Sequence, residues 1–193
     1  METQTLPAAP LRPRTLVVGT AFVTGSVVMF FAGLFAIYFS MRSDTKAWGS
    51  EWYPEGAIQL SPGSMNMATL TISVVTMAWA VYSVRNNDRI HAYLALALTA
   101  VMGIAMINQT AFYLNDIALP IDYSPTTTLL FTIVGAHVVM VVVGVLWLVV
   151  LLLRALGGQD SSQHIPLFSS AAVYWYAMVA IYSVIWIGIY IGK

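Results

Sequence analysis

"GSVVMFFAGLFAIYFSMR", Gly25 to Arg42, is the stretch on which the fold turns. No acid or base interrupts it before Arg42, and small residues recur along it at helical spacing. Followed outward, the apolar run extends from Leu16 to Met41. About 20 mostly apolar residues suffice for a helix to cross roughly 30 Å of hydrocarbon. A transmembrane barrel strand would show ten-residue alternation instead, and none is present here. The stretch therefore predicts a membrane-spanning helix.

Composition gives the same answer for the whole chain. Of 193 residues, 59% are hydrophobic and only 8% charged, with a mean hydropathy of +0.79. A soluble domain carries about 25% charged residues, so this surface is made for a bilayer. Formal net charge is zero, which gives no reason to expect a nucleic-acid partner. The absence of cysteine excludes disulfides, thiolate metal sites, iron–sulfur clusters and a cysteine nucleophile. Residues 1–15, with Arg12 and Arg14, have the look of a signal sequence. The apolar segment that follows is longer than a secretory core of about 7–15 residues and has no A-x-A-type site. It is expected to be a retained span behind a cytoplasmic lead.

Working outward, four more segments qualify: Met65–Val84, His91–Leu114, Thr126–Leu153 and Leu167–Ile191. The expectation is an all-α membrane protein, a single five-helix bundle over residues 16–193. "WGSEWYPEGAIQLSPGS" links the first two spans and is rich in the aromatic residues that favour the membrane interface. Lys and Arg set the orientation. With the N-terminus inside, Arg12, Arg14, Arg85, Arg89 and Arg154 lie inside, whereas Arg42, Lys46 and Lys193 lie outside. That bias favours N-terminus in, C-terminus out.

Ionisable groups within hydrocarbon are costly, so each one present is a candidate for function. His137 is the only one near the middle of a span; His91 and His164 stand at or beyond span ends. Bis-histidine haem ligation needs two imidazoles at one depth. Dinuclear or multi-histidine metal centres need paired ligands at helical spacing. Ion-coupled transporters show intramembrane acids or helices broken at the midplane, yet the eight prolines all fall outside these spans. The chain is thus expected to hold no metal or redox cofactor, and no catalytic residue of its own.

Helix-packing chemistry is abundant. Ala21, Gly25 and Gly33 share an i, i+4 row with Met29, and Ala32, Ala36 and Ser40 form its neighbour. Such rows admit close backbone approach. They serve either the chain's own bundle, as Gly103, Gly135 and Gly144 also would, or contact with another subunit. His137 reads first as an interhelical hydrogen-bonding group, with Asn108, Gln109 and Tyr176 as candidate partners; a lipid or quinone head group, or a proton role, are the other readings. "YWYAMVAIYSVIW" (Tyr174–Trp186) predicts an aromatic packing face.

Taken together, "MFFAGLFAIYF" (Met29–Phe39), "SVVTMAWA" (Ser73–Ala80), "GAHVVMVVVG" (Gly135–Gly144) and the closing "YWY…YIGK" resemble subunit III of haem-copper terminal oxidases. The likeness covers nearly the whole chain and is nearest to the short, five-helix form of actinobacterial cytochrome c oxidases. It departs at five polar positions. Val27 stands for the family's glutamate, and Phe112 for the glutamate of Q-x-x-E-Y after Gln109. Met140 stands for the second histidine of G-x-H-x-x-H-V-x-x-G, whose matching residues are Gly135, His137, Val141 and Gly144. In Y-W-H-x-x-D, Tyr174 and Trp175 are kept while Tyr176 and Val179 replace histidine and aspartate.

The resemblance implies an accessory subunit that binds no cofactor itself. Haem and copper would lie in its partners, subunit I and subunit II, with phospholipid between helices. It also implies a bacterial plasma membrane, an aerobic respiratory chain coupled to proton translocation, and the prospect of a larger supercomplex. Two other classes remain open on the residues alone: an anchor or assembly subunit of another respiratory complex, and a stand-alone small transporter or lipid-binding protein.

Overall fold

The computed structural model describes residues 15–54, 56–117, 120–121, 123–156 and 165–192. Five helices follow one another: α1 (Thr15–Ala47), α2 (Leu60–Arg85), α3 (Arg89–Asp116), α4 (Pro125–Leu156) and α5 (Ile165–Ile185), the last continuing as a π-helical turn (Trp186–Ile191). All five are long and apolar enough to cross a membrane, and no strand occurs among the described residues. Arg12, Arg14, Glu55, Asp122, His164 and Lys193 lie outside the described residues.

Each helix outruns its apolar segment. α1 continues through Arg42, Asp44 and Lys46 to Ala47. A hydropathy count stops at the first charge, but backbone hydrogen bonding does not, and cations near a helix C-terminus favour its dipole. Local chemistry sets the starts. The Asp88 carboxylate accepts from the His91 N–H at 3.2 Å and caps α3. Asn87, at φ 57°, makes the tight turn before it. Ser124 Oγ accepts from the Thr127 N–H at 3.2 Å to open α4. Pro62, Pro125 and Pro166 occupy first turns, where the N–H that proline lacks has no intrahelical partner anyway.

α5 is the hub, packing on α1, α2 and α4, while α3 fits against α2 and α4. Between helices in lipid, apolar burial supplies little drive, so close packing and hydrogen bonds carry the association. The aromatic face expected of the last span supplies both. Trp175 is fully buried, and its Nε1 donates to Ser73 Oγ at 2.9 Å. Tyr174 donates to the Met140 carbonyl at 2.9 Å and Tyr182 to the Gly63 carbonyl at 3.1 Å. Glycines receive these rings. A Cβ at Gly103 would stand 2.8 Å from the Trp175 ring and 2.6 Å from Val145, and one at Gly144 would stand 3.2 Å from Trp175. Gly63 lies under Tyr190, whose ring atoms a Cβ would meet at 2.6 Å.

The connection after α1 turns back on the bundle. Trp52 is buried, and its Nε1 donates to the Tyr38 hydroxyl at 3.1 Å. That hydroxyl in turn donates to the Gly188 carbonyl in the π-helical turn at 3.4 Å. Trp48, by contrast, is 86% exposed.

Candidate functional site

α1 touches the bundle along one narrow seam: Thr20, Thr24, Phe31, Phe35 and Tyr38, spaced by three, four or seven residues. Most positions at other angles face outward, with Val27, Leu34 and Met41 half-buried at the edge of the seam. Phe22 is 75% and Met29 74% exposed, and Ala21, Gly25, Ala32, Gly33 and Ala36 are exposed beside them. A Cβ added at Gly25 or Gly33 would meet nothing within 4 Å. This corrects one of the two readings of the small-residue rows: Ala21, Gly25 and Gly33 do not pack the chain's own helices. Among the sequence-predicted glycines, Gly144 and Gly103 take that role. Gly135 is half-buried, but a Cβ there also meets nothing within 4 Å. Val18, Ala21, Phe22, Gly25, Ser26 and Met29 line a shallow, largely apolar groove on the outward face.

His137 is fully enclosed where α1, α4 and α5 meet. Its ring centroid lies 5.2 Å from that of Tyr182 and 6.3 Å from that of Phe31. Nε2 lies 3.1 Å from the Met178 carbonyl oxygen. A carbonyl only accepts, so Nε2 carries the hydrogen and Nδ1 is left as a bare acceptor. Nδ1 is buried and unpartnered. The expected partners are therefore corrected. Asn108 is exposed on α3 and Tyr176 on α5, while Gln109 is half-buried, and none of them reaches the imidazole. The helix faces decide this: α4 meets α5 at Met178, two residues beyond Tyr176 and on the opposite side.

The five positions where polar family residues have been lost divide by environment. Met140 and Val179 are buried core residues. Val27 is half-buried against the core. Phe112 and Tyr176 face outward. Among the described residues no three His, Asp or Glu come together as a metal site.

Several polar pairs escaped the reading of the sequence. Asn66 Nδ2 donates to Thr110 Oγ1 at 3.0 Å, and Thr76 and Thr99 hydroxyls pair at 2.7 Å. With Ser73 and Trp175 they form a buried polar thread along the α2–α3 and α2–α5 seams. Asn66 inside "SMNMATL" was the available signal, since an amide within a span seeks a partner. Outside the spans, burial pushes the Tyr53 hydroxyl above its usual range, so it remains a neutral donor.

These features, a five-helix bundle with one outward helix face on α1, are joined by direct similarity to known proteins. The profile of the family described as cytochrome c oxidase subunit III matches residues 12–192. The chain is similar to cytochrome c oxidase subunit 3 of Pisaster ochraceus, 31% identical over 173 residues. It is likewise similar to those of Paracentrotus lividus and Pelomedusa subrufa, each at 32%. The aligned region is 88% of this chain and 65% of the Pisaster protein, so the chain spans just under two thirds of the length of these relatives. On a match that takes in all five helices, the chain belongs to the cytochrome c oxidase subunit III family.

Proposed function

We propose that this chain is an integral, cofactor-free accessory subunit of a haem-copper terminal oxidase. It would dock on the oxygen-reducing subunit I, with subunit II nearby, through the outward face of α1. The observation that carries this reading is the emptiness above Gly25 and Gly33. Rows of small residues let a partner helix approach closely, gaining dispersion and weak Cα–H···O contacts, and here no helix of the chain uses them. Phe22 and Met29 flank the row as side chains able to interlock with a partner. A role in stabilising the catalytic subunit, phospholipid in the grooves, an N-terminus on the inner side and a bacterial cell membrane belong to the same reading. The Lys/Arg bias and the five-span form support the last two. Arg85 and Arg89 at the α2–α3 turn and Arg154 near the end of α4 supply the inner-side charge among described residues.

The test is gentle extraction from native membranes on an N-terminal tag, followed by reduced-minus-oxidised spectra and identification of the co-purifying chains. Haem bands with a histidine-rich membrane subunit are expected. A colourless preparation of this chain alone would sink the proposal.

A further inference from the structure

α3 stands at the edge of the bundle away from α1, fitted against α2 and α4. Thr99, Gly103, Met106, Thr110 and Tyr113 make its buried side. The other side carries Leu98, Val101, Ala105, Asn108 and Phe112 at steps of three and four residues, all of them exposed. Four of these five suit lipid, and Asn108 does not. It lies eight residues before the end of α3 at Asp116, about 12 Å along the axis at 1.5 Å per residue. With 28 residues, α3 is roughly 42 Å long, so about 6 Å overhangs a hydrocarbon layer of roughly 30 Å at each end. The amide therefore sits about 6 Å inside the hydrocarbon. Other outward polar groups in the spans are satisfied on their own helix. Ser26, Thr71 and Thr132 each donate to the carbonyl four residues back. A carboxamide brings two N–H donors and an acceptor, and the Asn108 side chain makes no hydrogen bond to a described residue. Half-buried Gln109 sets a second amide beside it, since positions 105, 108, 109 and 112 are neighbours on a helix surface.

We propose that this face of α3 docks a transmembrane helix of another membrane protein, one other than the helix seated on α1. That helix presents an Asn, Gln, Ser or Thr side chain to Asn108. Hydrogen-bond complementarity selects the occupant. Acyl chains offer neither donor nor acceptor, and no bulk water reaches this depth to replace them. A helix brings a polar side chain while its own backbone is already satisfied, and interhelical bonds of this kind join membrane helices. Ala105, one turn before Asn108, keeps the approach close, and Phe112, 71% exposed one turn after it, supplies apolar contact. Membership of an oxidase subunit family sets other membrane chains beside this one. The chain is thereby held from two sides, by α1 and by α3.

The test is photocrosslinking of the full-length chain in its native membranes. The photoreactive substitution Phe112→benzoylphenylalanine is compared with Val75→benzoylphenylalanine, a reference at an exposed position of α2. At 112 the expected product is an adduct with one other protein, mapped to a transmembrane segment that holds Asn, Gln, Ser or Thr within a turn of the crosslink. At 75, lipid adducts are expected. Asn108→Leu added to the first variant should lower its protein adduct about threefold, the scale of a hydrogen bond between membrane helices, and Asn108→Gln should keep most of it. Thermal melting of the purified chain should be alike in all of these. Lipid adducts alone at 112 overturn the docking face. An adduct between two copies of this chain overturns the assignment to another protein. A yield that Asn108→Leu leaves unchanged overturns the role of the amide, and so does a fall in melting temperature that accounts for the lost adduct. A preparation that carries haem yet gives no protein adduct at 112 would remove this inference and leave the oxidase reading standing.

Discussion

At Gly103 and Gly33 the same residue type does opposite work. A methyl group at Gly103 would collide with Val145 and with the rigid Trp175 ring. Gly103→Ala should therefore destabilise the chain by about 1–3 kcal/mol, as overpacking does, read from denaturation in mixed micelles. Gly33→Leu meets open space and should leave the isolated chain within about 0.5 kcal/mol of wild type. Equal effects of the two would contradict the seam described for α1. His137→Leu removes the donor to the Met178 carbonyl. It should cost about 1–2 kcal/mol and lower melting temperature more than the specific turnover of the assembled oxidase. Selective loss of proton pumping with stability intact would assign the imidazole a proton role instead. His137 was legible as a structural hydrogen-bonding group. Its partner was not, because a backbone carbonyl leaves no mark in a sequence.

Among the elements, the α2–α3 turn reverses the chain over three residues, Asn86 to Asp88. Asn87 adopts a left-handed conformation that costs most residues about 1–2 kcal/mol and a β-branched one more. Asn87→Gly should be tolerated and Asn87→Val should loosen the turn. Asp88 adds a pH dependence. Hydrogen bonding from the His91 backbone N–H holds its carboxyl below the ordinary value of 3.8. A depressed carboxyl stabilises the fold above its unfolded-state value and loses that contribution as the pH falls through the folded one. Amides in the first turn of α3 should exchange faster below that point, and Asp88→Ala should exchange fast at every pH. All five helices were legible from apolar length alone. Their ends were not, since Arg42, Asp44 and Lys46 stop a hydropathy count while the α1 backbone runs on. The π-helical turn was equally hidden: "WIGIYI" offers no local signal, and the turn answers to Tyr38 and Phe39 packed on Gly188.

Across the whole molecule, burial is uneven. Within the span windows, 56% of residues are buried in α5 but only 22% in α1. Hydrogen exchange in detergent should accordingly be slowest in α5 and fastest in the first half of α1; protection of α1 equal to that of α5 would refute this ordering. In native membranes, Gly33→Leu should reduce the yield of assembled complex without impairing insertion, and an unchanged yield would remove the α1 face from the interface. The Tyr38–Gly188 hydrogen bond, which spans 150 residues, bears on how the protein is made. α1 leaves the ribosome well before α5, its main partner in the bundle. At about 5–20 residues per second, α1 waits roughly ten to thirty seconds in the bilayer before its own bundle can receive it. During that interval both of its sides are open. A neighbouring subunit already in the membrane can thus engage a nascent, half-made chain, and assembly of the complex need not wait for the subunit to finish folding.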